Sequence, residues 1–211
     1  MDISQLIMSP EEYVTTYPLE GSDAISFSWN GRHSGEFVDG NQAFRKAVVE
    51  YCLANPGSAP PSLLQQLLTA DAAWSREAWC APNHFPALAS LVLCRCDSAV
   101  LPVFAKSMNA SFDTFGACHQ MELDDATIQR HLLELKRLVA REDNPETVTQ
   151  LTAAQELLHN LAGGTASQGW VRVEPGTPAT NVKVIYPPWH RRLWHGIRAW
   201  LSNLTKHALH W

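Results

Sequence analysis

The chain of 211 residues contains no run of about 18 apolar residues, the length a helix needs to cross a bilayer. Its longest apolar run, residues 87–94, is far shorter and is interrupted by Ser90. The start, Met1-Asp2-Ile3-Ser4, lacks the basic residues and extended apolar segment of a secretory signal. Five cysteines, an odd number scattered over a chain long enough to bury a real core, do not make a disulfide framework. These absences point to a reducing, cytoplasmic setting.

Signatures of several chemistries are missing as well. Glycines at 31, 35 and 40 fit neither the dinucleotide-binding nor the phosphate-loop spacing. There is no Gly-x-Ser-x-Gly elbow, no His-Glu-x-x-His pair and no calcium-loop pattern. The expectation is therefore no cofactor and no metal site. No internal repeat is evident. With 45% apolar and 18% charged residues, the composition is that of a folded globular chain and not of a disordered one.

Charge is unevenly placed. Up to Glu174 there are 11 Lys and Arg against 21 Asp and Glu, a net of −10. From Pro175 onward come five bases (Lys183, Arg191, Arg192, Arg198 and Lys206) and no acid at all. An acidic body argues against nucleic-acid binding by the main domain, because such affinity rests on cations meeting phosphates.

What the chain does have is helical periodicity, clearest over residues 123–161. Ile128, Leu132, Leu135 and Val139 recur at spacings of 4, 3 and 4, with Gln129, Arg130, Glu134 and Arg141 elsewhere on the cylinder. Asp124 or Asp125 can cap the start. Asn144, Pro145 and Glu146 then read as the cap and first turn of a second helix, striped by Val148, Leu151, Leu158 and Leu161 and ended by Gly163-Gly164. So short a connection predicts an αα-hairpin.

Upstream, Ser9-Pro10-Glu11-Glu12 predicts a short helix over residues 10–17. Ile25, Phe27 and Trp29 alternate with serines, and Asn30-Gly31 follows, so a β-hairpin returning through Glu36-Phe37-Val38 is expected. Asp39 or Asn41 starts a helix with Phe44, Ala47, Val48, Tyr51 and Cys52 on one face, and Asn55-Pro56-Gly57 stops it. Pro60-Pro61-Ser62 opens a helical region to about Trp79, with Leu63, Leu67, Ala70 and Trp74 in register; a break at residues 69–71 is left open. Residues 87–96, apolar on every side, predict a central helix. Pro102 restarts a short helix to Met108, and residues 109–119 read as a structured loop.

Three parts follow: an acidic helical domain over residues 1–162, a linker or loop over residues 163–186 with a short strand read over residues 182–186, and a basic, Trp-rich helix over residues 187–211. The fold class expected is mainly α, a helical bundle or short αα-hairpin solenoid of about seven helices with a small N-terminal β-hairpin.

Cys94-Arg95-Cys96 and Cys118-His119, with Cys80 and His84, invite a zinc reading. Two cysteines two apart on a helix point to opposite sides, however, and buried thiols behaving as small apolar groups explain them better. A cysteine hydrolase with Cys118, His119 and His84 as first suspects is the enzymatic alternative. His131 and His159 read as surface or hydrogen-bonded histidines. Glu122, Asp124 and Asp125, like Glu142, Asp143 and Glu146, sit where helix caps already account for carboxylates. The C-terminal stretch carries four tryptophans among bases, and Trp189, Arg191, Arg192, Trp194, Arg198 and Trp200 are the residues expected to meet a protein partner. Docking of that helix on the body and contact with an anionic membrane are its other two readings. The leading functional expectation is a non-catalytic protein-binding module, such as an inhibitor, an immunity-type protein or an adaptor.

Overall fold

Eight α-helices form among residues 8–17, 22–121, 123–162, 171–173 and 182–184, the residues that the computed structural model describes. The fold is mainly helical. Helix α1 (Pro10–Thr16) is opened by Ser9, whose Oγ accepts from the Glu12 N–H at 3.1 Å. Helix α2 spans Gln42–Ala54 and α3 spans Pro61–Ala78, one unbroken helix through residues 69–71. It ends on Trp79, whose φ of 56° and ψ of 35° lie in the left-handed region. That conformation normally falls to glycine, because a Cβ crowds the backbone there.

Helix α4 (Phe85–Arg95) is the axis of the molecule, since every residue from Phe85 to Cys94 is buried. Helices α2, α3, α5 (Leu101–Met108) and α6 (Phe112–Cys118) pack on it. Helix α5 is the hub on the other side, touching α3, α4, α6 and the terminal α8. Helices α7 (Asp125–Arg141) and α8 (Pro145–Ala162) form the hairpin that their stripes predict. Of the two carboxylates open as caps, Asp124 serves, accepting from Thr127 N at 2.9 Å and from Thr127 Oγ1 at 2.6 Å. Asn144 Oδ1 accepts from the N–H groups of Glu146 and Thr147, so the second helix starts as read.

Two expectations are corrected. The N-terminal β-hairpin does not form: residues 23–39 hold two short 3-10 turns, Asp23–Ile25 and Ser34–Glu36, and a single bridge between Trp29 and Asp39. Asn30 explains the difference. Its side chain takes the Arg32 and Val38 N–H groups and donates to Glu36 O, satisfying locally the groups that a ladder would have used. Residues 109–119 are not a loop, because Ser111 and Thr114 form a reciprocal capping box that nucleates α6. The count of about seven helices therefore becomes eight among the described residues. The short strand expected near residue 184 is β2 (Val182–Val184), antiparallel to β1 (Val171–Val173), which lies within the stretch read as linker. The C-terminal helix expected over residues 187–211 lies outside the described residues.

Helix α7 is tied to α4 by a histidine. His131 is fully buried, and its Nε2–H donates to Leu93 O at 2.7 Å while Nδ1 has no partner. Burial drives its proton affinity below the ordinary imidazole value of 6.5, with the bond to Leu93 opposing and the Arg130 charge assisting. A base whose folded-state value is lowered contributes full stability above its unfolded value, where both states are neutral. That stability is lost as pH falls below it, because only the unfolded chain takes up the proton. Urea midpoints should therefore fall from pH 7 to pH 5, and the fall should be smaller in His131→Gln, which keeps the donor to Leu93 without a titrating ring.

Candidate functional site

The polar residues that the sequence reading passed over form the most concentrated chemistry in the molecule. Helix α2 buries not only Val48, Val49 and Cys52 but also Arg45, which is 1% exposed. On α3, Asp71 stands four residues after Leu67 and four before Ser75, on the buried face of that helix. A lone guanidinium in such a place would be strongly unfavourable, so its partners matter. Arg45 Nη2 donates to Asp39 Oδ2 at 2.6 Å and Nε donates to Asp71 Oδ1 at 2.8 Å. Nη1 reaches the carbonyls of Ile25 and Ser26 at 3.5 and 3.3 Å. One guanidinium thus ties the Asp23–Asp39 segment to both α2 and α3.

The chain of charge continues outward. The second oxygen of Asp71 accepts from His84 Nε2 at 2.7 Å, with the imidazole 9% exposed. Pro82 and Asn83 bend the chain between α3 and α4, and His84 stands at the N-cap of α4 without capping it, so its ring is free to turn toward α3. The remaining oxygen of Asp39 accepts from the N–H groups of Ser28 and Asn41. Asn41 caps nothing with its own side chain, and instead donates to the carbonyls of Asp23 and Ser26.

A pocket of about 250 Å³ opens over this chain. Gln42, Lys46 and Glu50, each four residues apart on α2, form one rim, and Trp74 and His84 face them from the other elements. Lys46 and Glu50 pair along that rim at 3.7 Å. Trp74 is positioned by an aromatic run: Phe27, Trp29 and Phe37 lie within 6.4 Å of one another, and Phe37 meets the Trp74 indole edge-on at 6.1 Å. The alternation of Phe27 and Trp29 seen in the sequence is therefore real, but it builds the flank of a pocket and not a strand.

The suspects named from sequence separate. Of Cys118, His119 and His84, only His84 reaches the pocket. Cys118 is sealed in the core and its thiol is pushed far up by burial, which keeps it protonated and unreactive. His119 turns away to bond Phe115 O at 2.8 Å and packs on the Phe115 ring at 4.5 Å. Cys52 and Cys94, raised to about 12 by burial, and Cys96, raised to about 11, are core residues too. Helix α4 ends before Cys96, whose Sγ leans on Pro61 O. Among the described residues no three His, Cys, Asp or Glu side chains converge as a metal site would require. The predicted partner-binding residues Trp189, Arg191, Arg192, Trp194, Arg198 and Trp200 lie outside the described residues.

A second feature is apolar and on the surface. Trp79 is 83% exposed at the end of α3, and Phe112 is 79% exposed at the start of α6. The two segments are neighbours: the Cys80 thiol, raised first by partial burial, is raised further by the Asp113 charge. No protein family, curated protein or solved structure matches this chain. Function must therefore be argued from these two places alone.

Proposed function

We propose that this chain is a protein-binding module, of the inhibitor, immunity-type or adaptor kind, that acts on one basic macromolecular partner in the cytoplasm. The observation that carries the reading is Trp79, the most exposed of the large apolar side chains among the described residues, with the exposed Phe112 on the neighbouring helix α6. Exposed apolar residues scattered singly need no explanation, but a tryptophan held out on left-handed backbone has a conformational cost and no intramolecular return. Tryptophan is also the side chain most enriched among residues that dominate binding energy. The net charge of −10 up to Glu174 favours a basic partner by speeding encounter. Trp189, Arg191, Arg192, Trp194, Arg198 and Trp200 would extend such a surface on grounds of composition.

A photoreactive phenylalanine analogue placed at position 79 in the source cells should capture one discrete basic protein, and the same analogue in place of the exposed Lys136 should not. The Trp79→Ala/Phe112→Ala double variant should then bind that purified protein at least about thirtyfold more weakly, the loss of a 2 kcal/mol hot spot. Capture of many unrelated proteins, or equal capture from position 136, would refute the proposal.

A further inference from the structure

We propose that the pocket over His84 is a binding site for a small organic cation that donates an N–H to His84 Nδ1. The ring's hydrogen placement follows from its partner. A carboxylate only accepts, so Nε2, 2.7 Å from Asp71 Oδ2, carries the hydrogen, and the tautomer with its hydrogen there has its lone pair on Nδ1. Nδ1 makes no hydrogen bond within the described residues, and it is not among the polar atoms sealed from solvent without a partner. Anchoring the Asp23–Asp39 segment accounts for Arg45, Asp39 and Asp71. It leaves unexplained an imidazole held by one nitrogen at the wall of a cavity, with the other nitrogen unpartnered among the described residues.

Charge selects the ligand class. Two carboxylates, Asp39 and Asp71, face one guanidinium, Arg45, which leaves one negative charge beneath the pocket floor. Lys46 and Glu50 cancel each other at the rim. The N-terminus of α4 contributes only about half a positive charge, too little to offset a full negative one. Trp74 adds an aromatic wall of the sort that attracts cations. At about 250 Å³, the space suits a molecule of single-ring size. An amine or amidine of that size satisfies the open acceptor, the charge excess and the indole together, whereas a carboxylate would meet repulsion and a bare lone pair.

The test titrates benzylamine, benzyl alcohol and benzoate into the full chain, following the His84 ring signals by nitrogen-15 NMR. Benzylamine should shift them saturably, with an affinity at least about tenfold above either analogue. His84→Leu, followed through the Trp74 indole N–H signal because the ring is gone, should abolish saturable binding. Because removal of the imidazole disturbs Asp71, Glu50→Lys provides a surface variant outside the buried chain, and it should weaken benzylamine at least about threefold by reversing the rim charge. No saturation at concentrations on the order of 10 mM, where weak fragments still bind, would overturn the assignment. So would equal binding of benzyl alcohol, preference for benzoate, or indifference of benzylamine to both variants. None of these outcomes bears on the Trp79 surface, so the two proposals stand or fall separately.

Discussion

Arg45→Met should lower the unfolding free energy by about 3–5 kcal/mol, the cost of removing one member of a buried ionic cluster. The side chain is 1% exposed and bonds two carboxylates that are themselves 0% and 3% exposed. Without the guanidinium, Asp39 and Asp71 become two buried negative charges with no cation against them, and Asp71 keeps only the His84 Nε2 hydrogen bond. The volume of methionine fills the space, so the loss measures charge and not a cavity. Urea denaturation should show a lowered midpoint with an unchanged slope, and the melting temperature should drop by roughly 10 °C for a chain of this size. Adding Asp39→Asn and Asp71→Asn to Arg45→Met should restore a good part of the loss, because the uncompensated charges go with the partner. A loss under about 1 kcal/mol for Arg45→Met would mean that solvent already reaches the cluster and that the anchor is weak.

Phe104→Ala should cost a similar amount, about 3–5 kcal/mol, for a different reason. Phe104 is fully buried on α5, the element that touches α3, α4, α6 and α8 at once. Truncation removes the transfer free energy of the ring and leaves a cavity that several helices would have to collapse together to fill. The destabilisation should appear in every probe of unfolding, because α5 connects the α7–α8 hairpin to the rest. Leu133→Ala on α7, where the side chain is 55% exposed, should stay within about 0.5 kcal/mol and serves as the control. If Phe104→Ala loosened only the hairpin while α2–α4 melted unchanged, the core would be two cooperative units and not one.

The helices were legible where apolar spacing and end signals agree. Ser9-Pro10, Asn144-Pro145 and the leucine stripes of α7 and α8 fix two starts and two buried faces from a few residues each. Helix α6 was hidden because its box uses Thr114 where a glutamate or glutamine signals the motif more plainly. The hairpin was over-read: alternation of Ile25, Phe27 and Trp29 reports which side chains face inward, but it does not say whether backbone or Asn30 takes the hydrogen bonds. The pocket was the least visible part. Asp71 at core spacing on α3 and Arg45 beside Phe44 were both charges on a buried face, the one local clue to a paired ion. Their meeting with His84 joins residues 26 and 13 positions apart, through packing that no window of sequence contains.

Trp79 carries an implication for anyone who selects variants of this protein by thermal robustness. Left-handed backbone costs a residue with a Cβ about 1–2 kcal/mol, and glycine would occupy the same turn freely. Screens that reward survival on heating should therefore drift toward glycine at this one position, gaining hardiness while discarding an indole that stands 83% exposed. A library filtered that way would be enriched in sturdier molecules that have lost their grip.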